Sequence, residues 1–273
     1  MTTKELKAKL INSVEIDESD IDWIICEVAG VRRSEICLPV SLSDEQVDCI
    51  YNLIARREAG RPLAYILGKS NFYGRDFIVR EGCLIPRCET EELVECILTE
   101  VSCGEGLEIG VGSGAISITL ALESKNIKML GVDISDDALA ITNDNINKFN
   151  ANVRTVKSDL FSEIKSQKFD FIVSNPPYIK SEEVETLMEE VKNFEPKLAL
   201  DGGIDGLDFY RAIIKESPRY LKQKGKIFFE VGVGEAEDVK SLLEENFEDI
   251  VIKKDLEGVE RIVFATLKEK EII

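Results

Sequence analysis

The segment Asn175-Pro176-Pro177-Tyr178 ends a mostly apolar run, 169–173, of the kind that forms a buried strand. Proline fixes φ and lacks an N–H, so the Pro176 carbonyl can be held rigidly as a hydrogen-bond acceptor. The Asn175 side-chain oxygen is a second acceptor. Together they suit a planar –NH2 group, and Tyr178 adds an aromatic face on which such a group can stack. We therefore predict that Asn175, Pro176 and Tyr178 are catalytic, and that all of 175–178, including Pro177, binds substrate.

A nitrogen in such a planar group is a poor nucleophile, because its lone pair is delocalised into a carbonyl or a ring. Two acceptors that hold both hydrogens favour the positive charge that develops as the nitrogen attacks. They also aim the lone pair along the line of attack, which lowers the entropic part of the barrier. The expected chemistry is transfer of a group to nitrogen, with no metal and no covalent enzyme intermediate.

A glycine-rich turn, within LEIGVGSGAISITLAL, precedes a predicted helix. Glycines at 110, 112 and 114 would let the backbone bend tightly and let a ligand approach closely. The spacing Gly110-x-Gly112-x-x-Ala115 also fits a dinucleotide fingerprint, so the turn alone leaves a nicotinamide cofactor open. The predicted cofactor-binding residues of this turn are Glu108, Ile109, Gly110, Val111 and Gly112.

Carboxylates lie near the ends of three of the predicted strands and favour a different cofactor. Asp133 can accept hydrogen bonds from two ribose hydroxyls, although a helix cap is an alternative for it. Asp159 and Leu160 end the next strand, where an adenine would lie, and Asn175 ends the fourth. These three residues and Asp133 complete the predicted cofactor-binding set. Glu108 and Asp159 would repel a pyrophosphate but suit the ammonium and sulfonium of S-adenosylmethionine. We therefore expect S-adenosylmethionine as the cofactor, S-adenosylhomocysteine as its product, and no metal.

The elements that must position these residues change in character along the chain. Apolar spacing predicts helices at 4–12, 20–29 and 43–59, the last with a capping box, Ser43-x-x-Gln46. A β-hairpin around Tyr73-Gly74 and a helix containing Leu93 and Val94 follow. From residue 106, strands and helices alternate, which indicates a doubly wound, mostly parallel α/β sheet. The predicted strands are 106–110, 127–133, 153–158, 169–174, 226–231, 248–253 and 261–267, and the predicted helices are 114–123, 136–149, 182–192, 206–221 and 235–245. The turn between the last two strands is too short for a crossover helix, which predicts an antiparallel pair.

Composition excludes several classes of function. The chain has 273 residues, no histidine and a formal net charge of −18. Histidine bases are therefore excluded, and stable nucleic-acid binding is not expected, because it depends on lysine and arginine neutralising phosphates. The 7 cysteines fit no zinc spacing and are expected to be free thiols. No apolar run approaches the ~20 residues of a membrane helix, so we expect a cytoplasmic protein without a membrane partner.

Nine segments together resemble the HemK-type peptide-chain release-factor glutamine methyltransferases, over about residues 43–267. They are RREAGRPLAYILG (56–68), FYGRDFIV (72–79), LIPRCETEELVE (84–95), EIGVGSGAI (108–116), VDIS (132–135), SDLF (158–161), SNPPYI (174–179), FEPKLALDGGIDGLDFYR (194–211) and FEVG (229–232). The tetrapeptide alone is shared with adenine-N6 and guanine-N2 methyltransferases of nucleic acids, which remain the alternative. The resemblance implies transfer of a methyl group to the glutamine side-chain amide in the Gly-Gly-Gln motif of class I release factors.

The resemblance also implies an organisation. A helical substrate-recognition domain would occupy 1–67, a β-hairpin linker 68–85, and a methyltransferase domain 86–273. The methyltransferase domain would carry the seven-stranded sheet of class I S-adenosylmethionine-dependent methyltransferases, with an antiparallel last strand.

Carried over residue by residue, the resemblance assigns a part of each ligand to each segment. Residues 108–112 would hold the methionine part of the cofactor, Asp133 its ribose, and Asp159 with Leu160 its adenine. Residues 175–178 would bind the glutamine side chain. Pro86, Arg87 and Thr90 would line the same site.

The chain departs from the family pattern at three positions. It has Glu108 where Asp is common, Cys88 where Pro is common, and Glu235 where Gln is usual. The departures remove no predicted catalytic group. For the glycine-rich loop within 194–206 we expect a role in closing the substrate pocket, because long loops in compact domains tend to be functional.

Overall fold

The computed structural model describes residues 1–269, and the chain forms two compact units. The first unit comprises Met1–Lys69 and Met188–Phe194, and the second comprises Ser70–Leu187 and the chain from Glu195 onward. The return of 188–194 to the first unit was not expected from the sequence. The three-part division at 67 and 85 stays a prediction.

Helices build the first unit. They are α1 Thr3–Ile11, α2 Glu18–Ala29, α3 Asp44–Glu58 and α4 Leu63–Leu67, together with a later segment described below. The capping box predicted for α3 is confirmed, since Ser43 and Gln46 each accept the other's backbone N–H. Left-handed glycines end α2 and α4. The apolar faces of these helices meet in one buried cluster that includes Leu6, Ile24 and Ile54.

The predicted β-hairpin is confirmed, and all of its residues except Lys69 belong to the second unit. Strands β1 Lys69–Phe72 and β2 Arg75–Ile78 flank Tyr73 and Gly74, both at positive φ, the backbone that a tight hairpin turn requires. Asn145 connects this hairpin to the glycine turn. Its amide exchanges hydrogen bonds with the backbone of Ile78 at 2.7 and 2.9 Å and also donates to the Ser113 carbonyl at 2.9 Å.

The remaining elements of the second unit follow the predicted alternation. They are α5 Thr90–Glu100, β3 Gly104–Ile109, α6 Ala115–Glu123, β4 Ile127–Asp133, α7 Asp136–Phe149, β5 Val153–Lys157, β6 Phe169–Ser174, α8 Ser181–Val184, then, after α9 Glu189–Phe194 of the first unit, α10 Asp208–Glu216, β7 Leu221–Glu230, α11 Ala236–Leu243, β8 Phe247–Lys254 and β9 Glu260–Leu267. The strands form one seven-stranded sheet in the order β5-β4-β3-β6-β7-β9-β8. All pairings are parallel except β7–β9 and β8–β9, which confirms the predicted antiparallel end. Apolar clusters cover both faces of the sheet.

Two predicted helices were wrong in extent. The helix expected at 182–192 is two short ones, α8 and α9, because the chain turns between them, where the Thr186 hydroxyl donates to the Glu183 carbonyl at 2.7 Å. The helix expected at 206–221 ends at Glu216. Pro218 follows in a 3₁₀ turn, and proline cannot continue an α-helix.

Register aligns the carboxyl ends of the central strands. Ile109, the last residue of β3, pairs with Val132 of β4 on one side and with Ser174 of β6 on the other. The Ser174 hydroxyl donates to the Ile109 carbonyl at 2.8 Å and is fully buried. The glycine turn after β3 and the tetrapeptide after β6 are therefore neighbours at one edge of the sheet.

The loop 195–206 packs along the chain that follows the tetrapeptide. Ile179 donates to the Leu200 carbonyl at 3.0 Å and accepts from the Gly202 N–H at 2.8 Å. A Cβ on Gly202 would lie 2.7 Å from each of three backbone atoms, the carbonyl oxygens of Gly206 and Pro177 and the Cα of Tyr178. The loop thus supports the backbone of 177–179 at van der Waals distance.

We predict that Gly202→Ala lowers the free energy of unfolding by about 3 kcal/mol, because the added methyl group must displace backbone rather than a flexible side chain. Urea denaturation followed by circular dichroism measures this change. Circular dichroism is preferred to fluorescence because the single tryptophan, Trp23, belongs to the first unit and the loop to the second.

Gly234→Ala is the matched control. Gly234 has φ +84°, and a Cβ there would meet nothing within 4 Å, so the substitution costs only the strain of a left-handed residue, about 1–2 kcal/mol. Equal losses in the two variants would contradict a tight backbone contact at Gly202.

Candidate functional site

A cavity of about 270 Å³ lies at the carboxyl ends of β3, β4, β5 and β6. The sequence-predicted residues that line it are Pro86, Arg87, Thr90, Glu108, Ile109, Gly110, Val111, Gly112, Asp133, Asp159, Leu160, Asn175, Pro176 and Pro177. Tyr178 is not part of the wall. Residues from segments far apart in sequence are thus brought to one site, as expected for the edge of an open α/β sheet.

The glycine turn leaves room on the cavity side. Gly110 and Gly112 have φ values of +75° and +56°, in the left-handed region. A Cβ on Gly110 would meet no protein atom within 4 Å, and one on Gly112 would meet only the Cys83 sulfur, at 3.8 Å. The turn is held from behind by Thr142, whose hydroxyl donates to the Gly112 carbonyl at 2.6 Å. A bound molecule can therefore approach this backbone closely.

Glu108 is a buried carboxyl at the cavity wall, with 2% of its surface exposed. It accepts hydrogen bonds from the Ser117 N–H at 2.9 Å and from the Ser117 hydroxyl, both at the start of α6. Burial raises the pKa of Glu108 to about 8, although the bonds from Ser117 act in the opposite direction. Without a cation beside it, this carboxyl therefore holds a proton to higher pH than an exposed glutamate does.

Asp133 and Leu160 mark the second and third strand ends. The Asp133 carboxylate accepts from the N–H groups of Gly112 and Ser135, each at 3.0 Å, one on each oxygen. Each oxygen keeps a lone pair that can accept from a hydroxyl. Leu160 has φ +48°, a costly conformation for a leucine, and such strain is found mainly at functional sites. Neighbouring Asp159 is exposed.

The charges at the wall decide which cofactor the residues fit. Glu108, Asp133 and Asp159 contribute carboxyls. Arg87 also lines the cavity but is paired with the buried Glu195 at 2.6 Å. The open backbone of the glycine turn and this acidic wall fit a cofactor that carries cationic groups and no phosphate, and fit a pyrophosphate poorly.

The tetrapeptide 175–178 is held by a hydrogen bond of the Asn175 side chain and by the burial of Pro176. Asn175 is partly buried, and its Nδ2 donates to the Thr90 hydroxyl oxygen at 3.2 Å, which leaves its Oδ1 as the acceptor for a ligand. Pro176 is buried at the cavity wall. The Tyr178 ring instead packs against the main apolar cluster, close to Gly232. The stacking role proposed for Tyr178 stays a prediction.

Sequence reasoning missed several residues that hold the site. Three of them are polar residues in helices, where a polar side chain is usually predicted to face solvent. Each is fully buried here: Ser117, Thr142 and Asn145. Glu195 accepts from Arg87 and from the Ile85 N–H at 3.1 Å, so it ties the loop 195–206 to 85–87. The quoted segments 84–95 and 194–211 contained both partners, but only the fold revealed their contact.

The departures from the family pattern are accommodated. Glu235 lies beside the tetrapeptide's supporting loop and accepts from the Gly232 N–H at 3.1 Å. Burial raises the pKa of Glu235 to about 7, although the bond from Gly232 lowers it. Cys88 is exposed, and its thiol donates to Glu89 at 3.2 Å.

Residues 1–269 contain neither a metal-binding cluster nor a membrane-spanning helix. In that range, no cluster of three or more histidine, cysteine, aspartate or glutamate side chains is arranged to hold a metal ion. In the same range, every helix is too short or too polar to cross a membrane.

Comparison with solved structures supports the fold. A methyltransferase from Pyrococcus furiosus superposes with a TM-score of 0.54 at 19% identity, covering 79% of this chain and 98% of that one. A T. thermophilus 16S rRNA methyltransferase in complex with AdoMet and guanosine gives 0.53 at 18% identity, covering 73% and 50%. At these identities the likeness concerns the fold alone.

Comparison of sequences is more specific. Residues 2–68 match the PrmC N-terminal domain family, and 89–204 match the Methyltransferase small domain family. The release factor glutamine methyltransferase of Bacillus cereus is 40% identical over 92% of this chain and 93% of its own length. That of Fusobacterium nucleatum is 44% identical over 90% and 72%. With this likeness along nearly its whole length, the chain belongs to the family of release factor glutamine methyltransferases.

Proposed function

We propose that this protein transfers a methyl group from S-adenosylmethionine to the side-chain amide nitrogen of the Gly-Gly-Gln glutamine in class I release factors. Family membership supports the reaction, and one feature of the site carries the proposal. The Asn175 side-chain oxygen and the Pro176 carbonyl belong to consecutive residues, both at the wall of an acidic cavity. Such a pair of acceptors can hold both hydrogens of a carboxamide.

The cofactor would lie along the glycine turn. Residues 108–112 would hold its methionine part, Asp133 would accept from its ribose hydroxyls, and Asp159 with Leu160 would flank its adenine. When bound, S-adenosylmethionine supplies a methyl group on a sulfonium whose leaving group is a neutral thioether. Glu108 would provide negative charge for the cationic groups of the cofactor. Arg87 does not cancel that negative charge, because Arg87 is already paired with Glu195.

The residues of 175–178 would do the remaining work. The oxygens of Asn175 and Pro176 would hold the glutamine –NH2 flat and aim its nitrogen lone pair toward the methyl carbon. They would also stabilise positive charge on that nitrogen as it forms its new bond. The supporting loop, packed against the backbone of 177–179, would keep both acceptors in place.

The test is a methylation assay with radiolabelled methyl donor. We expect label in a class I release factor, located by mass spectrometry on its Gly-Gly-Gln glutamine, and no label when that glutamine is replaced by glutamate. Parallel reactions contain ribosomal RNA or DNA. Label in nucleic acid but not in the release factor would overturn the proposal in favour of a base-amino methyltransferase.

We predict that Asn175→Ala lowers kcat roughly 100-fold or more, because the substrate –NH2 loses one of its two acceptors in the transition state. Steady-state methylation of the release factor measures the change. S-adenosylhomocysteine binding, measured by calorimetry, should change much less, because the glycine turn and Asp133 are intact. Unchanged turnover would show that the Asn175 oxygen does not act on the substrate.

We also predict that the binding of S-adenosylmethionine releases a proton from Glu108. The pKa of Glu108 is raised to about 8 in the free protein, and a cation beside the carboxylate favours its charged form and lowers that pKa. Affinity should therefore increase as pH rises toward about 8 and then level off. Calorimetry near neutral pH, in buffers of different ionisation enthalpy, measures the protons released.

Glu108→Gln is the matched variant. It keeps a hydrogen-bonding group of the same size but cannot titrate, so the pH dependence that Glu108 causes should disappear and the affinity should fall. An identical pH profile in the variant would contradict a role for Glu108 beside the cationic groups.

A further inference from the structure

Two buried side chains form a chain of hydrogen bonds behind Asn175. Thr90, at the start of α5, and Glu230, the last residue of β7, are 4% and 3% exposed. The Thr90 hydroxyl donates to Glu230 Oε2 at 2.6 Å, and the same hydroxyl oxygen accepts from Asn175 Nδ2 at 3.2 Å. The order of donors therefore runs from Asn175 through Thr90 to Glu230.

The sheet explains how Glu230 comes to this place. Strands β6 and β7 are parallel neighbours, and Ser174 pairs with Phe229, so Asn175 and Glu230 are the next residues on the two strands. The Tyr210 hydroxyl donates to the Glu230 carbonyl at 2.9 Å and holds that backbone. Glu230 is thus built into the sheet, immediately beside the tetrapeptide.

This chain of bonds sets the polarity of the Asn175 amide. An asparagine amide can rotate by 180° and exchange its oxygen and its –NH2 group. Because the Thr90 proton is donated to Glu230, Thr90 offers Asn175 only a lone pair, and only the –NH2 end can face it. The Asn175 oxygen must then face away from Thr90.

The electrostatics of Glu230 agree with this geometry. Burial raises the pKa of Glu230 to about 7, and the hydrogen bond from Thr90 and the positive charge of Arg261 oppose that rise. Bonds that lower a carboxyl pKa are donated to its charged form. Above that pKa Glu230 is ionised and is an acceptor only, which commits the Thr90 proton to it.

We propose that Thr90 and Glu230 are positioning residues for methyl transfer, which hold the Asn175 amide with its nitrogen inward and its oxygen toward the substrate –NH2. The proposal rests on the proposed function in one respect, the use of that oxygen as a substrate acceptor. Neither residue touches the reacting atoms in this scheme. Both act through the orientation of Asn175.

The first test compares two substitutions at one position. Thr90→Val keeps the shape but removes the hydroxyl, and we expect kcat with release factor to fall roughly 10- to 100-fold. S-adenosylhomocysteine affinity should change much less than kcat. The unfolding midpoint should fall, because the buried Glu230 loses a hydrogen-bond donor, so kcat is compared at a temperature at which the variants are folded. Thr90→Ser restores the hydroxyl and should recover most of the lost turnover. Full activity in Thr90→Val, or no recovery in Thr90→Ser, would overturn the proposal.

Thr119→Val is the matched control for loss of a buried threonine hydroxyl. Thr119 lies in α6, is fully buried, and its hydroxyl has no hydrogen-bond partner among the described residues. It does not line the cavity. We expect turnover within about 2-fold of the parent protein. A loss equal to that of Thr90→Val would mean that any buried hydroxyl matters, and would contradict a specific role for Thr90.

Coupling tests the second partner. Glu230→Met removes the acceptor, frees the Thr90 proton and should also lower kcat by roughly 10-fold or more. If both residues act only through Asn175, the double variant Thr90→Val/Glu230→Met should be no worse than the poorer single variant. Multiplicative losses would overturn the shared mechanism.

A readout without turnover separates this proposal from the proposed function. The side-chain –NH2 signals of Asn175, assigned by their loss in Asn175→Ala, should shift and exchange faster with water in Thr90→Val. They should be unchanged in Thr119→Val. Unchanged signals in Thr90→Val would sink the positioning role even if release factor is methylated. If the parent protein fails to methylate release factor, the substrate assignment fails while this measurement still stands.

Discussion

The parallel register of β3 with β6 is the constraint on which the site depends. Because Ile109 pairs with Ser174, the two strands end at the same level, and the glycine turn and the tetrapeptide leave the sheet side by side. The buried Ser174 hydroxyl, bound to the Ile109 carbonyl, stabilises this arrangement. A shift of two residues in that pairing would displace Asn175 and Pro176 by about 7 Å relative to the glycine turn, because strands rise about 3.3 Å per residue.

Buried polar side chains then convert this adjacency into a defined geometry. Ser117 binds Glu108, Thr142 binds the glycine turn, and Thr90 connects Asn175 to Glu230. A buried polar group without a partner costs about 1–3 kcal/mol, so each bond restricts the orientation of the group it satisfies. The same arrangement leaves Glu108 and Glu230 with raised pKa values, since burial disfavours their charged forms.

Local pattern predicted the elements well where one physical signal dominated. The capping box at Ser43, the hairpin turn at Tyr73-Gly74 and the apolar strands of the sheet are all present. The extent of two helices was wrong, because a turn at Thr186 and a proline at 218 outweighed the periodic pattern around them. The cavity wall was largely predictable, since it follows from which residues end parallel strands. The packing of the Tyr178 ring was not predictable in this way, because it depends on the tertiary arrangement of the apolar cluster, and its stacking role stays a prediction.

By itself the sequence determined the class of sheet, the glycine turn, the acidic residues at the cavity wall, and the two consecutive oxygens of Asn175 and Pro176 after β6. These depend on residue type and on neighbours close along the chain. The tertiary structure alone decided which buried partners orient those groups. Thr90 lies 85 residues from Asn175, and Arg87 lies 108 residues from Glu195. Such contacts arise only when strands and loops pack, because a hydrogen bond requires an approach that no local pattern encodes.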